Sequence, residues 1–150
     1  MPLRKHMRHI FTTNIYIKDT GTEKGRGVFA ARDFAIGEII EECPVILFEN
    51  PFYPPSEIKR VLFSWLALTK ATGSHAYALA LGFGSMYNHD NPSNMRYEAD
   101  VQNTTIKFIS VRNIALGEEL TINYNALAGG SHSDENTWFE RMNVRPITNT

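Results

Sequence analysis

Between Gly82 and Asn94 the chain reads Gly-Phe-Gly-Ser-Met-Tyr-Asn-His-Asp-Asn-Pro-Ser-Asn. This small, polar, turn-rich stretch lies between an apolar, helix-like segment and a run of strand candidates. Tyr87, Asn88 and His89 form the densest cluster of hydrogen-bonding side chains in the sequence. Asn91-Pro92 forces a turn, because proline fixes its own φ and drives the residue before it out of the helical region. A plain connection would need fewer special residues, so the stretch reads as the floor of a site.

Around it the apolar residues alternate over short spans, the signature of strands. Strands are expected over Asn14 to Lys18, Val28 to Ala31, Glu38 to Phe48, Met95 to Ala99, Thr105 to Arg112 and Glu119 to Tyr124. Pro44 implies a bulge or an edge position. His75 to Leu81 fits either strand or helix. Ile58, Val61, Leu62, Trp65 and Leu66 recur at helical spacing, predicting one helix capped by Ser56 and ended by Gly73. Residues 125–136 read as a flexible loop, and Thr137 to Val144 as a short terminal helix. Ala31-Arg-Asp-Phe-Ala-Ile-Gly-Glu-Ile-Ile40 echoes Val111-Arg-Asn-Ile-Ala-Leu-Gly-Glu-Glu-Leu120. Two similar β corners follow, each turning on glycine. The fold class is mostly β with minor helices.

The 150 residues fit one domain. A net charge of −1 gives no basic excess for nucleic acid, and the basic residues among 1–9 read as a tail. The lone Cys43 excludes an internal disulfide and a cysteine-rich zinc cluster, and beside Pro44 it reads as a buried thiol. No apolar run spans a membrane and no signal-peptide core is present, so the expected setting is intracellular, cytoplasmic or nuclear.

Three pieces stand in order: Lys24-Gly-Arg-Gly-Val-Phe29, Tyr87-Asn-His-Asp90 leading to Asn94, and Gly117-Glu-Glu-Leu-Thr-Ile-Asn-Tyr124. Together they resemble the SET domain, the protein-lysine methyltransferase family that uses S-adenosylmethionine. The resemblance implies a SET-type β-clip fold of small curved sheets with a C-terminal pseudoknot. It implies a SET core over about residues 15–124, a helical insert over 51–76 and a closing segment over 125–150.

It also implies a chemistry. Methyl transfer from S-adenosylmethionine, leaving S-adenosylhomocysteine, is an in-line displacement that depends on alignment. The attacking lysine must be neutral, and an apolar channel lowers its pKa. By resemblance, Tyr124 is the catalytic tyrosine. Lys24, Arg26, Gly27, Asn88 and His89 are cofactor residues, and Trp138 stacks on the cofactor. Tyr77 and Tyr97 line the lysine channel, although each fits a packed strand tyrosine equally well. Trp138 also fits a helix simply docked on the core. No metal is implied. Glu118 and Glu119 point to opposite faces of a strand and make a poor acid/base pair, one positioning the hairpin and the other solvated. Glu38, Glu41, Glu42 and Glu49 offer an acidic attraction for a basic peptide, or a solvated strand face. The partner is a lysine-bearing protein, a histone being one candidate, with no direct nucleic-acid or membrane partner. The alternative is a SET-like binding module that has lost turnover, favoured by Asp90 and Pro92, where the chain departs from the family pattern.

Overall fold

The computed structural model describes residues 14–49, 54–126, 128–142 and 145. The tail predicted over 1–9 lies outside them, as do the last two residues of the predicted terminal helix. Among the described residues no helix is long and apolar enough to cross a membrane.

Two curved sheets carry the fold. The first contains β1 (Ile15–Asp19), β2 (Arg26–Ala30), β9 (Glu119–Ile122) and β6 (Asn88–His89), in the order β1-β2-β9-β6. The second runs β4-β5-β3-β8-β7, from β4 (Phe63–Ser64), β5 (Tyr77–Ala80), β3 (Ile39–Phe48), β8 (Thr105–Ser110) and β7 (Met95–Asp100). Three short helices complete it: α1 (Ser56–Lys59), α2 (Leu66–Thr72) and α3 (Thr137–Met142). The mostly β expectation holds. Val28, Tyr87, Met95, Ile106, Phe108 and Leu120 are fully buried and join the two sheets in one core.

The single predicted helix over 56–73 is broken. Phe63 and Ser64 leave helical geometry to pair with Ala78 and Tyr77 on β5. Trp65, at φ −102° and ψ 87°, then starts α2. Trp65 is buried, but Ile58, Val61 and Leu66 are exposed, so the apolar periodicity does not form one packed face. Tertiary pairing overrides the local pattern here. Pro55 stands at the N-cap of α1 with no side-chain cap, so Ser56 is not the cap. Gly73, at φ +73°, ends α2 as expected. The ambiguous 75–81 segment is strand β5.

Pro44 sits in the middle strand of the second sheet, and the register shift in β3 lies between Ile39 and Glu41 instead. The proline is tolerated because β3 changes partners there. Its pairing with β8 ends at Pro44↔Thr105, and its pairing with β5 begins at Val45↔Ala80. Cys43 is buried, and desolvation pushes its thiol far above the usual range.

The echoed corners clasp one another. Phe34 and Ile114 exchange backbone hydrogen bonds at 2.8 and 2.9 Å. Asn113 Oδ1 accepts from Ile36 N at 3.0 Å, and Asp33 Oδ1 accepts from Leu116 N at 2.7 Å. Within each corner an Arg-Glu pair recurs, Arg32 with Glu38 and Arg112 with Glu118, and each glutamate also accepts a turn N–H. These bonds hold both carboxyls below their ordinary range.

Residues 129–133 of the predicted loop are tied down. Ser131 O accepts from Ser93 N at 2.8 Å, and Gly129 O accepts from Tyr97 N at 2.9 Å. Asn91 donates to Ser133 O at 2.8 Å. Part of a segment expected to be flexible is therefore laid against 91–97.

Candidate active site

β6 is only two residues long, yet it fixes the centre of the site. It runs parallel to β9, with Asn88 opposite Thr121 and His89 opposite Ile122. Asp90 continues the pairing by donating its N–H to Ile122 O at 3.0 Å. Its carboxylate accepts from Asn91 N at 2.9 Å, so the departure at Asp90 is absorbed within the turn that precedes the cis Asn91-Pro92 bond.

Asn88 reaches across β9. Its Nδ2 donates to Arg26 O at 3.0 Å and to Glu119 Oε1 at 2.8 Å. Glu119 is therefore engaged rather than solvated. Gly27 makes this approach possible: a Cβ there would lie 2.9 Å from Asn88 Nδ2 and 2.5 Å from Glu119 Oε1. Lys24 Nζ donates to His89 O at 3.0 Å. Lys24, Arg26, Gly27, Asn88 and His89 thus form one connected group.

His89 faces the other way, into the closing segment. Its Nδ1 accepts the backbone N–H of Tyr124 at 3.0 Å. An accepting Nδ1 places the imidazole proton on Nε2. That atom is buried with no partner among the described residues. Desolvation dominates the His89 pKa and lowers it to about 4, with Lys24 adding to the effect and Asp90 opposing it. His89 is neutral at physiological pH.

Tyr124 follows β9 at the floor of a cavity of about 270 Å³. Its hydroxyl donates to Tyr87 O at 2.6 Å, which leaves the oxygen lone pairs as acceptors. Burial, with the Glu119 charge, pushes its pKa far up, so no phenolate base forms near neutral pH. Tyr77, Tyr87, Tyr97, Ile122 and Trp138 line the same cavity. Tyr97 donates to Ala126 O at 2.9 Å, and burial raises its pKa to about 12. The structure therefore brings Tyr77, Tyr97 and Tyr124 together.

The two aromatics of α3 divide their contacts. Trp138 packs against Tyr124 at 4.8 Å between ring centroids and lines the tyrosine cavity. Phe139 is buried and meets His89 edge-on at 4.5 Å. Sequence reasoning singled out Trp138 for the cofactor side, but the neighbour of His89 is Phe139. That reasoning placed Tyr87 in the floor of the site but gave it no role. Tyr87 supplies the carbonyl that orients Tyr124, and its own hydroxyl donates to Glu41 Oε1 at 2.7 Å. The available signal was its place directly before Asn88-His89.

The donor set fits a ligand with a polar amino-acid end and an aromatic end. A Cβ on Gly25 would meet nothing within 4 Å, so the turn before β2 is open. Lys24 supplies a cation there, and the unpartnered His89 Nε2 lies among the aromatic rings of the closing segment.

Known proteins resemble this chain in sequence and in fold. The family profile described as SET domain matches residues 25–125. A Schizosaccharomyces pombe (strain 972 / ATCC 24843) histone-lysine N-methyltransferase, H3 lysine-37 specific, is 34% identical over 131 residues, covering 87% of this chain and 80% of that protein. Among solved structures, a candidate histone methyltransferase of Plasmodium falciparum aligns with TM-score 0.59 and 26% identity, over 76% of this chain and 95% of that one. CpSET8 from Cryptosporidium shares the fold at TM-score 0.55 and 19% identity, over 89% of this chain and 59% of that one. The chain belongs to the SET-domain family of protein-lysine methyltransferases.

Proposed function

We propose that this chain moves a methyl group from S-adenosylmethionine to the Nζ of a lysine in a protein substrate. The carrying observation is the Tyr124 hydroxyl, bound to Tyr87 O and set at the floor of the tyrosine-lined cavity. Lys24, Arg26, Gly27, Asn88 and His89 would hold the cofactor, with Phe139 beside them. When bound, S-adenosylmethionine supplies the electrophilic methyl group. The Tyr124 oxygen accepts an N–H of the lysine amine and aligns its lone pair, and alignment is the larger share of the rate gain. No Asp or Glu among the described residues lines the cavity, so no carboxylate in that lining holds the lysine as an ammonium. Residues 54–76 form one wall, through α1 and β4, and α3 closes the other.

Histone H3 is one substrate to test, because the fission yeast relative is named for it. That substrate would place the protein in the nucleus. Labelled-methyl transfer onto a lysate and onto purified histones, with Tyr124→Phe beside the wild type, tests the reading. A Tyr124-dependent label on lysine is expected. The absence of any such label would leave the binding-module reading in its place.

A further inference from the structure

The mouth of the tyrosine cavity is cationic. Lys59 and Arg60 at the end of α1, and Arg141 in the last turn of α3, are exposed and line it. None of the three forms an ion pair among the described residues. Of the four acids expected to attract a basic peptide, Glu49 is exposed past the end of β3 and does not line the cavity, and the other three are engaged elsewhere. Glu38 is held by Arg32, Glu42 accepts from Thr105, and Glu41 lies behind Tyr87, bound by its hydroxyl and by Phe83 N. Glu57 and Glu140 stand on the same two helices as the cations, but neither lines the cavity. His75 completes the rim and hydrogen bonds with Ser64. Burial, and then the charges of Arg141 and Lys59, lower its pKa.

We propose that this rim selects a lysine flanked by an anionic side chain, a carboxylate or a phosphorylated residue. The inference rests on the methyltransferase reading and names the substrate class of the same site. Like charges at an entrance repel a partner, and opposite charges steer it and fix its register. A cationic rim also disfavours entry of the ammonium form of the target lysine, in keeping with the need for a neutral amine. A peptide with several arginines beside its lysine meets Lys59, Arg60 and Arg141 with nothing acidic among the described lining residues to offset them, so the rim ranks a basic histone tail below an anionic sequence.

The test uses the full chain and four peptides identical except at the two residues beside a central lysine: Glu, phosphoserine, Gln or Arg. At low salt kcat/KM should be about fivefold or more higher for an anionic peptide than for the Gln peptide, and lowest for the Arg peptide. The spread should shrink as sodium chloride is raised. The Glu and phosphoserine arms distinguish the two sources of anion. Arg60→Glu with Arg141→Glu should reverse the ranking, and the single exposed change Lys59→Glu should narrow it. Equal rates for all four peptides, or preference for the Arg peptide, overturns the proposal. So does tight competition by duplex DNA that the charge reversals relieve, which would assign the rim to nucleic acid. If no peptide is methylated, fluorescence anisotropy of the same peptides decides. The same ranking in binding supports the selection and leaves the loss of turnover to count against the reaction alone; no ranking overturns it.

Discussion

The imidazole of His89 and the backbone of Tyr124 are joined by one hydrogen bond, 3.0 Å from Tyr124 N to His89 Nδ1. Protonating Nδ1 would set one N–H against another. The folded protein keeps His89 neutral down to about pH 4, whereas the unfolded chain takes up this proton near 6.5. The unfolded state therefore binds more protons between those values, and stability rises with pH across the window. The His89 contribution is complete above 6.5 and is lost as pH falls toward 4. Thermal melts at a series of pH values should show a flatter profile for His89→Gln than for the wild type. Identical slopes would exclude His89 as the group responsible.

Gly25 and Gly27 lie two residues apart but should respond differently to alanine. At Gly27 the added methyl meets Glu119 and Asn88, so β2 must move from the chain that carries the site. About 1–3 kcal/mol of stability should be lost, along with affinity for S-adenosylhomocysteine. At Gly25 there is open space, and the cost is the φ of +72°, about 1 kcal/mol. Urea denaturation and calorimetric titration of the two variants measure the contrast. Equal losses of affinity would show that the β2-Asn88 contact does not shape the cofactor side.

Asn94 is the buried clip between the Asn-His segment and β9. Its Nδ2 donates to Glu119 O at 2.8 Å, and its Oδ1 accepts from Thr121 N at 2.9 Å. Asn94→Ala would leave two buried backbone groups unpaired, for about 2–4 kcal/mol. Asn94→Asp keeps an acceptor for Thr121 but turns a carboxylate oxygen toward the Glu119 carbonyl, so it should not rescue. Denaturant midpoints for both variants give the answer. A near-wild-type Asn94→Asp would show that only the Thr121 bond matters.

What was legible in the chain was local. Lys24-Gly-Arg-Gly, Asn88-His89 and the segment ending at Tyr124 are each contiguous, so each is readable as a motif, although the bonds that join them are long-range. The two echoed corners were also readable, because Gly37 and Gly117 both take the positive φ that the turn requires. Their mutual clasp was not, since Phe34 meets Ile114 only through the closure of distant strands. The break in the predicted helix has the same origin. Phe63 and Ser64 lie inside a helical period set by their neighbours but gain sheet pairing from β5, more than ten residues on. Pro44 misled for a related reason: a proline excluded from the middle of a sheet is tolerated where a strand exchanges one neighbour for another. The division of labour between Trp138 and Phe139 depends on the docking angle of α3, which composition does not encode.

That division gives the last prediction. Phe139 is 6% exposed and packs on His89, so Phe139→Ala removes a buried ring and should destabilise the fold by about 3 kcal/mol. Trp138 is half-buried on the cavity side, against Tyr124. Trp138→Ala should change stability by no more than about 1 kcal/mol. Its effect should fall on catalysis, where a widened cavity holds the lysine less well and turnover drops about tenfold. Urea denaturation and methyl transfer, run on both variants, separate the two roles. If Trp138→Ala unfolds the protein while Phe139→Ala spares it, α3 closes the site through the opposite residue.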